Sequence, residues 1–259
     1  MKIIVCVKQV PDSAATIHIE NGSAVFPDSP LVVNPWDEYA IEAALVQKER
    51  HGGEVIALSF GSETAKKALR SSLAMGCTGG TLLLQPDFQV LDGHVTARIL
   101  SAAIQRIGGV DLVVMGRQAI DTDMGTTPSQ VARILGWPVL TMVSSIQWID
   151  PDSHLVRIER AFEEGRQVLE SHLPAVMSVV KDIGKPRYPS FINIRKAQTS
   201  PIQTWSITDL GLPIPEPSVH CIEEVEPPRH QVPTEMLTGD SPQEIAEILV
   251  EKMLAEKIL

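Results

Sequence analysis

The chain of 259 residues is poor in aromatic side chains and cysteine and has no excess of positive charge. Aromatic residues make up 4% of the sequence, and the formal net charge is -10 at pH 7. Because nucleic acids and anionic membranes bind basic surfaces, neither is expected as a main partner. The three cysteines, Cys6, Cys77 and Cys221, are far apart, which indicates a reducing compartment without a disulfide framework.

Long apolar runs and the common catalytic spacings are also missing. The N-terminal apolar run Ile3–Val7 is too short for a signal peptide or a membrane span, so we expect a cytoplasmic protein without direct membrane insertion. The seven histidines have no metal-ligand spacing, and no G-x-S-x-G elbow is present. We therefore predict neither a metal site nor a catalytic residue.

Short apolar runs instead alternate with helical patterns over about the first 150 residues. The runs suit strands buried on both faces: Ile3–Val7, Val55–Phe60, Thr81–Leu84, Leu112–Met115 and Val139–Val143. Helical spacing of apolar residues occurs in Glu38–Arg50, Ser62–Met75, His94–Ile107 and Ser129–Leu135. Asp37 and Ser62 are predicted N-caps. The alternation predicts an α/β fold around a parallel sheet with right-handed crossovers.

Hairpins are predicted at two places outside this alternation. Asn21-Gly22, between two short apolar runs, is a strong hairpin signal. Leu155–Phe162 and Arg166–Ser171 alternate apolar and polar residues and predict an antiparallel hairpin at a sheet edge. Pro174–Val180 predicts a further buried strand.

Prolines become frequent from Pro186 onward, which predicts an extended arm rather than a second core. An amphipathic helix is predicted from Pro242 to about Lys257, with Ser241 as its N-cap. That helix either covers the chain's own domain or docks on a partner. We divide the chain into an α/β domain over residues 1–225 and a C-terminal arm and helix over residues 226–259.

A polar loop bounded by glycines follows the run Leu112–Met115 and precedes a helical pattern. Its residues are Gly116, Arg117, Gln118, Ala119, Ile120, Asp121, Thr122, Asp123, Met124, Gly125, Thr126 and Thr127. Backbone N–H groups at a helix start are free and attract anions, so the loop is a candidate phosphate cradle. An ordinary β–α connection explains it equally well, because neither a Walker nor a G-x-G-x-x-G spacing is present.

The two acids of this loop admit several roles. Asp121 and Asp123 fit paired acids, magnesium ligands, caps of the following turn or groups that hold a ribose hydroxyl. We favour a binding role, because no residue nearby resembles a general base with a matched partner.

Two further loops are expected at the same edge of the sheet. Asn34-Pro35-Trp36-Asp37 precedes the first helix, and Phe60-Gly61-Ser62 follows a buried run. Because ligands of parallel α/β sheets bind beyond the carboxyl ends of the strands, these loops and the Gly116 loop together predict a nucleotide pocket. The alternative is that the Asn34 turn is only a capped helix start.

Several stretches, taken in order, carry a family resemblance over nearly the whole chain. They are Met1–Pro11, Asn34-Pro35, Ala74-Met75-Gly76, Gly116–Asp123, Leu173–Val176 and Arg187–Ala197. Together they resemble the β subunit of electron transfer flavoprotein. The resemblance implies a doubly wound, mostly parallel, Rossmann-like sheet of the adenine-nucleotide α-hydrolase type, with an antiparallel edge hairpin and a C-terminal arm and helix that clasp a larger α subunit.

The resemblance also implies the cofactors. The α subunit of the family carries the FAD that transfers electrons, while the β subunit holds AMP or, in electron-bifurcating members, a second FAD that accepts hydride from NADH. Carried over by position, the pocket of this chain uses Cys6, the turn from Asn34 to Asp37, Phe60 and the loop from Gly116 to Thr127. The implied function is transfer of electrons from flavin dehydrogenases, such as acyl-CoA dehydrogenases, to a quinone oxidoreductase.

Arg187–Ala197 resembles the family's recognition loop, which docks dehydrogenase partners. Arg187, Tyr188, Phe191 and Ile192 are the candidate docking residues, and Phe191 lies where the family often has a leucine anchor. A bulky apolar side chain on an exposed loop is a plausible hot spot. From the residue pattern alone, packing of Phe191 into its own domain is the preferred interpretation.

Two departures from the family pattern bear on the cofactor and the partner. Bifurcating members usually read Asp-Gly-Asp-Thr-x-Gln-Val-Gly-Pro in the nucleotide loop, whereas Thr122 here follows the first Asp and adds a Cβ where a flavin needs room. We therefore expect AMP, with FAD as the alternative. In the predicted edge hairpin, Ala161 stands where the family often has an acid facing the α-subunit flavin region.

Two hypotheses that assign the chain to other classes of protein are also considered. A stand-alone nucleotide-binding stress-type protein of similar fold predicts a homodimer without flavin, but the proline-rich arm and terminal helix argue against it. An ATP-using enzyme of the adenine-nucleotide α-hydrolase type needs a glycine-rich loop after the first strand, where this chain has Lys8–Asp12 without a glycine.

Overall fold

A central sheet organises the larger of two units into which the chain divides. The computed structural model describes residues 1–27, 29–84, 92–213, 217–219, 221–226 and 234–258. The larger unit is Met1–Glu224, and the smaller is Val225–Leu259. Residues 214–216, 220 and 227–233 of the expected proline-rich arm lie outside the described residues.

The elements alternate between strands and helices, as the sequence predicts. The strands are β1 (Lys2–Cys6), β2 (Gln9–Pro11), β3 (His18–Glu20), β4 (Ser23–Val25), β5 (Leu31–Val33), β6 (Glu54–Gly61), β7 (Gly79–Leu84), β8 (Leu112–Gly116), β9 (Val139–Asp150), β10 (Leu155–Phe162), β11 (Gly165–His172), β12 (Ala175–Val179) and β13 (Gln203–Ser206). The helices are α1 (Pro35–His51), α2 (Lys66–Met75), α3 (Gly93–Ile107), α4 (Thr127–Leu135), α5 (Phe191–Thr199) and α6 (Pro242–Ala255).

The main sheet is doubly wound. Its strand order is β11-β10-β9-β12-β8-β1-β6-β7-β13, and the strands from β9 to β13 in this order pair in parallel. From β1 the chain first adds β6 and β7 on one side and then returns to add β8 and β12 on the other. The expected α/β fold with a mostly parallel sheet is confirmed, and its topological switch point lies between β1 and β8.

Alternating side chains of the buried strands supply two cores. Ile3 and Val5 pack with the buried residues of α1 and α2, whereas Ile4 and Cys6 pack with those of α3 and α4. Because successive side chains of a strand point to opposite faces, a strand covered by helices on both sides is apolar throughout. This explains the near-continuous apolar runs in the sequence.

The predicted hairpins are present. β10 and β11 pair antiparallel at the edge of the main sheet. The Asn21-Gly22 turn joins β3 and β4, in which Ile19 is opposite Ala24. In the smaller unit, α6 begins at Pro242, and Oγ of Ser241 accepts a hydrogen bond from the backbone N–H of Glu244. No helix among the described residues is long and apolar enough to cross a membrane.

The expectation that an extended arm begins at Pro186 is wrong for the first part of that segment. Residues 191–199 form α5, and β13 pairs in parallel with β7 as an edge strand. Pro186, Pro189 and Pro201 all lie in the connections outside α5 and β13, where no backbone donor is required. Frequent proline therefore limits the length of the elements here without preventing them.

Candidate functional site

The strand-end loops meet at the switch point of the sheet. β1 ends at Cys6, β8 ends at Gly116, and both strands run in the same direction side by side. The turn that opens α1 lies against the end of β8. Ligands of doubly wound sheets bind in the crevice at this position.

Asn34 links the start of α1 to the loop after β8. Its side chain is buried, and its Nδ2 donates a hydrogen bond to the carbonyl oxygen of Gln118 at 2.8 Å. Its Oδ1 accepts one from the backbone N–H of Ile120 at 3.2 Å. Both polar ends of one buried amide are thus satisfied by the same loop, which holds the first part of that loop in a defined conformation.

Asp37 joins the ends of the two central strands. Its buried carboxylate accepts the backbone N–H of Lys8 at 2.8 Å through Oδ2 and the backbone N–H of Gly116 at 3.3 Å through Oδ1. The prediction that Asp37 caps the first helix is wrong, because α1 begins at Pro35 and its N-cap position is Asn34, which makes no side-chain cap bond. Asp37 lies within the first turn and bonds to the strand ends instead.

Gly116 allows this approach because it has no side chain. A Cβ built on Gly116 would lie 2.5 Å from Oδ1 of Asp37 and 2.6 Å from the backbone carbonyl carbon of Trp36. Those distances are far below van der Waals contact, so only glycine permits the first turn of α1 to pack against the end of β8. We call Asn34, Asp37 and Gly116, together with the loop they hold, the strand-end clasp.

Burial changes the titration of two groups at the clasp. Desolvation raises the pKa of Asp37 to about 7, against the lowering effect of hydrogen bonds from Lys8, the Asn34 side chain and Gly116. Burial, with a smaller contribution from the charge of Asp37, raises the pKa of the Cys6 thiol well above its usual range. Cys6 is therefore a neutral thiol, which suits packing beside a ligand rather than nucleophilic chemistry.

Asp37→Asn is expected to flatten the dependence of stability on pH. The pKa of Asp37 is about 7 in the folded state and about 4 in the unfolded state, so the folded state binds more protons between these values. The free energy of unfolding of the wild type should therefore fall as the pH rises from about 4 to about 7. Urea midpoints at several pH values measure the slope, with the exposed Asp152→Asn as control. Equal slopes in the wild type and Asp37→Asn would contradict the assignment.

The outer part of the loop presents backbone donors to solvent. Residues 121–126 are exposed, and within the described residues no hydrogen bond uses the backbone N–H of Gly125, Thr126 or Thr127. These groups lie at the start of α4, where the helix dipole favours an anion. Gly125 has a φ of 63°, the left-handed conformation that turns the loop into the helix.

Charged side chains surround these donors. Nζ of Lys8 forms an ion pair with Asp121 at 2.7 Å, and Asp123 accepts a hydrogen bond from the Gln118 amide. The guanidinium of Arg117 lies over the Trp36 ring, 5.8 Å from its centroid. The site therefore has amide donors suited to a phosphate and carboxylate acceptors suited to hydroxyl groups.

The remaining predicted pocket residues lie at the same edge of the sheet. Cys6 ends β1 and packs in the core on the α3 side, where the partly buried Phe60 of β6 also packs. Pro35 is exposed at the start of α1, and Ala119 is partly buried in the loop. Met124 is exposed on the rim. Ser62 makes no side-chain cap bond to the helical turn that follows it.

Sequence reasoning missed two residues that follow β1. Lys8 donates to Asp37 and pairs with Asp121, and Gln9 exchanges hydrogen bonds with Thr64 beyond the end of β6. Their position directly after the first buried strand is the signal that places them at this edge.

The candidate docking residues lie on a separate surface formed by α5 and the segment before it. Tyr188, Phe191 and Ile192 are 88%, 91% and 80% exposed. Arg187 instead contacts α1, where its guanidinium pairs with Glu42 at 2.8 Å and with Glu49 at 2.5 Å. The recognition segment expected as a loop is a helix from Phe191 onward, with Oγ of Ser190 accepting the backbone N–H of Asn193.

Fold and site together define a class of protein: a doubly wound α/β protein with polar loops gathered at the switch point of its sheet. Comparison with known proteins identifies the group within this class. The family model for the electron transfer flavoprotein domain matches residues 25–210.

Curated relatives cover most of the chain. The chain is 37% identical over its whole length to the caffeyl-CoA reductase-Etf complex subunit CarD of Acetobacterium woodii, which is also covered completely. It is 31% identical to the electron transfer flavoprotein subunit beta of Bacillus subtilis, over 99% of this chain and 98% of the relative. It is 35% identical to that of Clostridium acetobutylicum, over 82% and 81%. The chain belongs to the electron transfer flavoprotein family, as a β subunit.

Proposed function

We propose that this chain pairs with an α subunit and that the heterodimer carries electrons from flavin dehydrogenases to a quinone-linked acceptor. In this proposal the chain holds AMP at the strand-end clasp and presents the apolar side chains of α5 to the dehydrogenase. Family membership favours this function over a stand-alone stress-type protein. The observation that carries it is the clasp itself, which presents unused backbone donors at the start of α4 beside carboxylate acceptors.

The residues of the clasp suit the phosphate and ribose groups of a nucleotide. The backbone N–H groups of Gly125, Thr126 and Thr127 would bind phosphate oxygens, and the carboxylates of Asp121 or Asp123 would accept hydrogen bonds from ribose hydroxyls. Asn34 and Asp37 would not contact the nucleotide through their polar atoms, because these atoms are used in holding the loop and the strand ends. Their role is to fix the loop before the ligand binds, which lowers the entropic cost of binding.

This chain performs no bond-breaking chemistry in the proposal. The redox chemistry comes from the FAD of the α subunit, and the residues described here bind, orient and dock. The terminal unit containing α6 is proposed to clasp that α subunit. The name of the Acetobacterium woodii relative links that protein to an enzyme acting on a CoA thioester, which favours a dehydrogenase of acyl-CoA thioesters as the partner.

A second candidate is a bifurcating subunit whose clasp holds FAD that accepts hydride from NADH. The observation that favours it is the exposed rim at residues 121–126, which leaves the outer side of the loop open to solvent. Thr122 lies on this exposed rim, so its Cβ restricts a flavin only if the flavin crosses the rim closely.

Counting the nucleotides in the heterodimer tests the proposal. After co-expression with the α subunit and denaturation, we expect one FAD and one AMP per heterodimer. Asn34→Ala should reduce the AMP content at least fivefold and leave the FAD content unchanged, because it frees the loop that Asn34 holds. Two FAD per heterodimer, with NADH reducing one, would favour the bifurcating subunit. A homodimer without flavin or adenine would contradict both.

A further inference from the structure

α5 packs along α2, and polar contacts bind it at its two ends. Ala197 is the only buried residue of this helix, and Phe191 and Ile192 at its start are almost fully exposed. A nine-residue helix is marginal on its own, and a single buried alanine contributes little apolar contact. The position of α5 therefore depends on the groups that bind its ends as well as on its packing against α2.

Arg187 binds the segment before α5 to α1. Its Nε and Nη2 donate to the two carboxylate oxygens of Glu42 at 2.8 and 2.9 Å, and its backbone N–H also donates to Glu42 at 3.0 Å. Its Nη1 donates to Glu49. The Glu42 side chain is only 12% exposed, so this two-pronged ion pair is partly shielded from water.

Arg70 of α2 binds the other end. Its Nη1 donates to the carbonyl oxygens of Ala197 and Gln198 at 2.7 and 2.6 Å. These carbonyls belong to the last turn of α5, where a helix has unpaired acceptors and the negative end of its dipole. A cation at that place both completes the hydrogen bonds and fixes the helix end against α2.

We propose that Arg187 and Arg70 are positioning residues, which hold α5 from both ends so that Phe191 and Ile192 are presented on a fixed support. The inference rests on the proposed docking function of α5. It changes the expected role of Arg187, because Nε, Nη1 and Nη2 each donate to Glu42 or Glu49, so three of its five N–H donors are engaged within its own chain. The partner then contacts Phe191 and Ile192, and the two arginines affect docking only by fixing the helix that carries these side chains.

Hydrogen–deuterium exchange on the heterodimer tests the anchors without any partner. Amides within residues 191–199 should exchange at least tenfold faster in Arg187→Ala and in Arg70→Ala, while those of α4 stay unchanged. The exchange rates of Arg187→Lys should lie between those of the wild type and Arg187→Ala, because lysine keeps the positive charge but cannot form the two-pronged ion pair with Glu42. Arg195→Ala is the matched control on α5, since Arg195 is exposed and forms no ion pair in the described structure. Unchanged exchange in both alanine variants would overturn the proposal.

Reduction kinetics separate the anchors from the docking function on which they rest. The probe is an acyl-CoA dehydrogenase with its acyl-CoA substrate, which reduces the flavin of the heterodimer. If α5 of Arg187→Ala or Arg70→Ala is in the docking position for about one tenth of the time, KM for that heterodimer rises about tenfold while kcat is unchanged. Faster amide exchange together with wild-type kinetics would support the anchors and overturn the docking role. Glu42→Gln gives a second test should Arg187→Ala fail to fold.

Discussion

Gly116→Ala is expected to lower the free energy of unfolding by about 3 kcal/mol and to abolish retention of the nucleotide. The new Cβ would lie 2.5 Å from Oδ1 of Asp37, 2.6 Å from the backbone carbonyl carbon of Trp36 and 2.7 Å from its Cβ. All three atoms are held by α1, so relief requires a shift of the helix start rather than a side-chain rotation. That shift also breaks the hydrogen bond from the Gly116 N–H to Asp37.

Gly61→Ala is the matched control for this variant. Gly61 ends β6 at the same edge of the sheet and is also buried, but a Cβ there meets only Ala65 Cβ at 3.5 Å, an ordinary contact. Urea unfolding of both variants, with AMP counted after denaturation, measures the two effects. We expect Gly61→Ala to remain within about 1 kcal/mol of the wild type. If Gly116→Ala were as stable as Gly61→Ala, the close packing of α1 on β8 would be refuted.

The meeting of the Asn34 and Gly116 loops was predictable from the sequence because parallel strands end at a common edge, whereas their use as a ligand site stays a prediction. The loops at Asn34 and Gly116 each follow or precede a recognisable element, so the strand pattern alone brings them to the same side. Their close contact depends on hydrogen bonds from Asn34 to Gln118 and Ile120, across more than eighty residues of sequence. No local signal reveals which polar atoms will meet over that separation.

Asp37 shows why a local rule failed. An acid near a helix start has the same sequence signature whether it caps free N–H groups or bonds to another element. Which of the two roles the acid takes depends on its tertiary contacts. The end of β8 lies against the first turn of α1, so Asp37 accepts the N–H of Gly116 and caps no N–H of the helix. The glycine that permits this contact is seventy-nine residues away.

α5 and β13 were missed for a different reason. Frequent proline masks short elements, and the nine residues of α5 are too few to establish a helical period of apolar residues. β13 gains its stability by pairing with β7, a contact between distant residues. The resemblance to the family predicts docking by residues 187–197, which stays a prediction, whereas the helical form of this segment and its contacts with Arg70 and Glu42 come from the structure.

Phe191→Ala is expected to slow electron exchange with the dehydrogenase about thirtyfold at low concentrations of the heterodimer. The side chain is 91% exposed at the first position of α5, with the exposed Ile192 and Tyr188 beside it. An aromatic anchor buried in a partner's pocket contributes about 2 kcal/mol or more, which corresponds to this factor. Since the described part of the chain covers so little of the Phe191 side chain, the folded state should lose almost no stability.

Ile222→Ala separates docking from a general effect of removing an exposed apolar group. Ile222 is 99% exposed and lies outside α5, so its replacement should leave electron exchange unchanged. Stopped-flow measurement of flavin reduction at varied heterodimer concentration gives KM and kcat for each variant, and FAD content with thermal unfolding verifies that both remain intact. If the dehydrogenase docks on α5, Phe191→Ala should raise KM and leave kcat unchanged. The slower reduction should then disappear at saturating concentrations of the heterodimer. Equal kinetics for Phe191→Ala and Ile222→Ala would place the dehydrogenase on a different surface, and the anchors at Arg187 and Arg70 would then serve only to complete the fold.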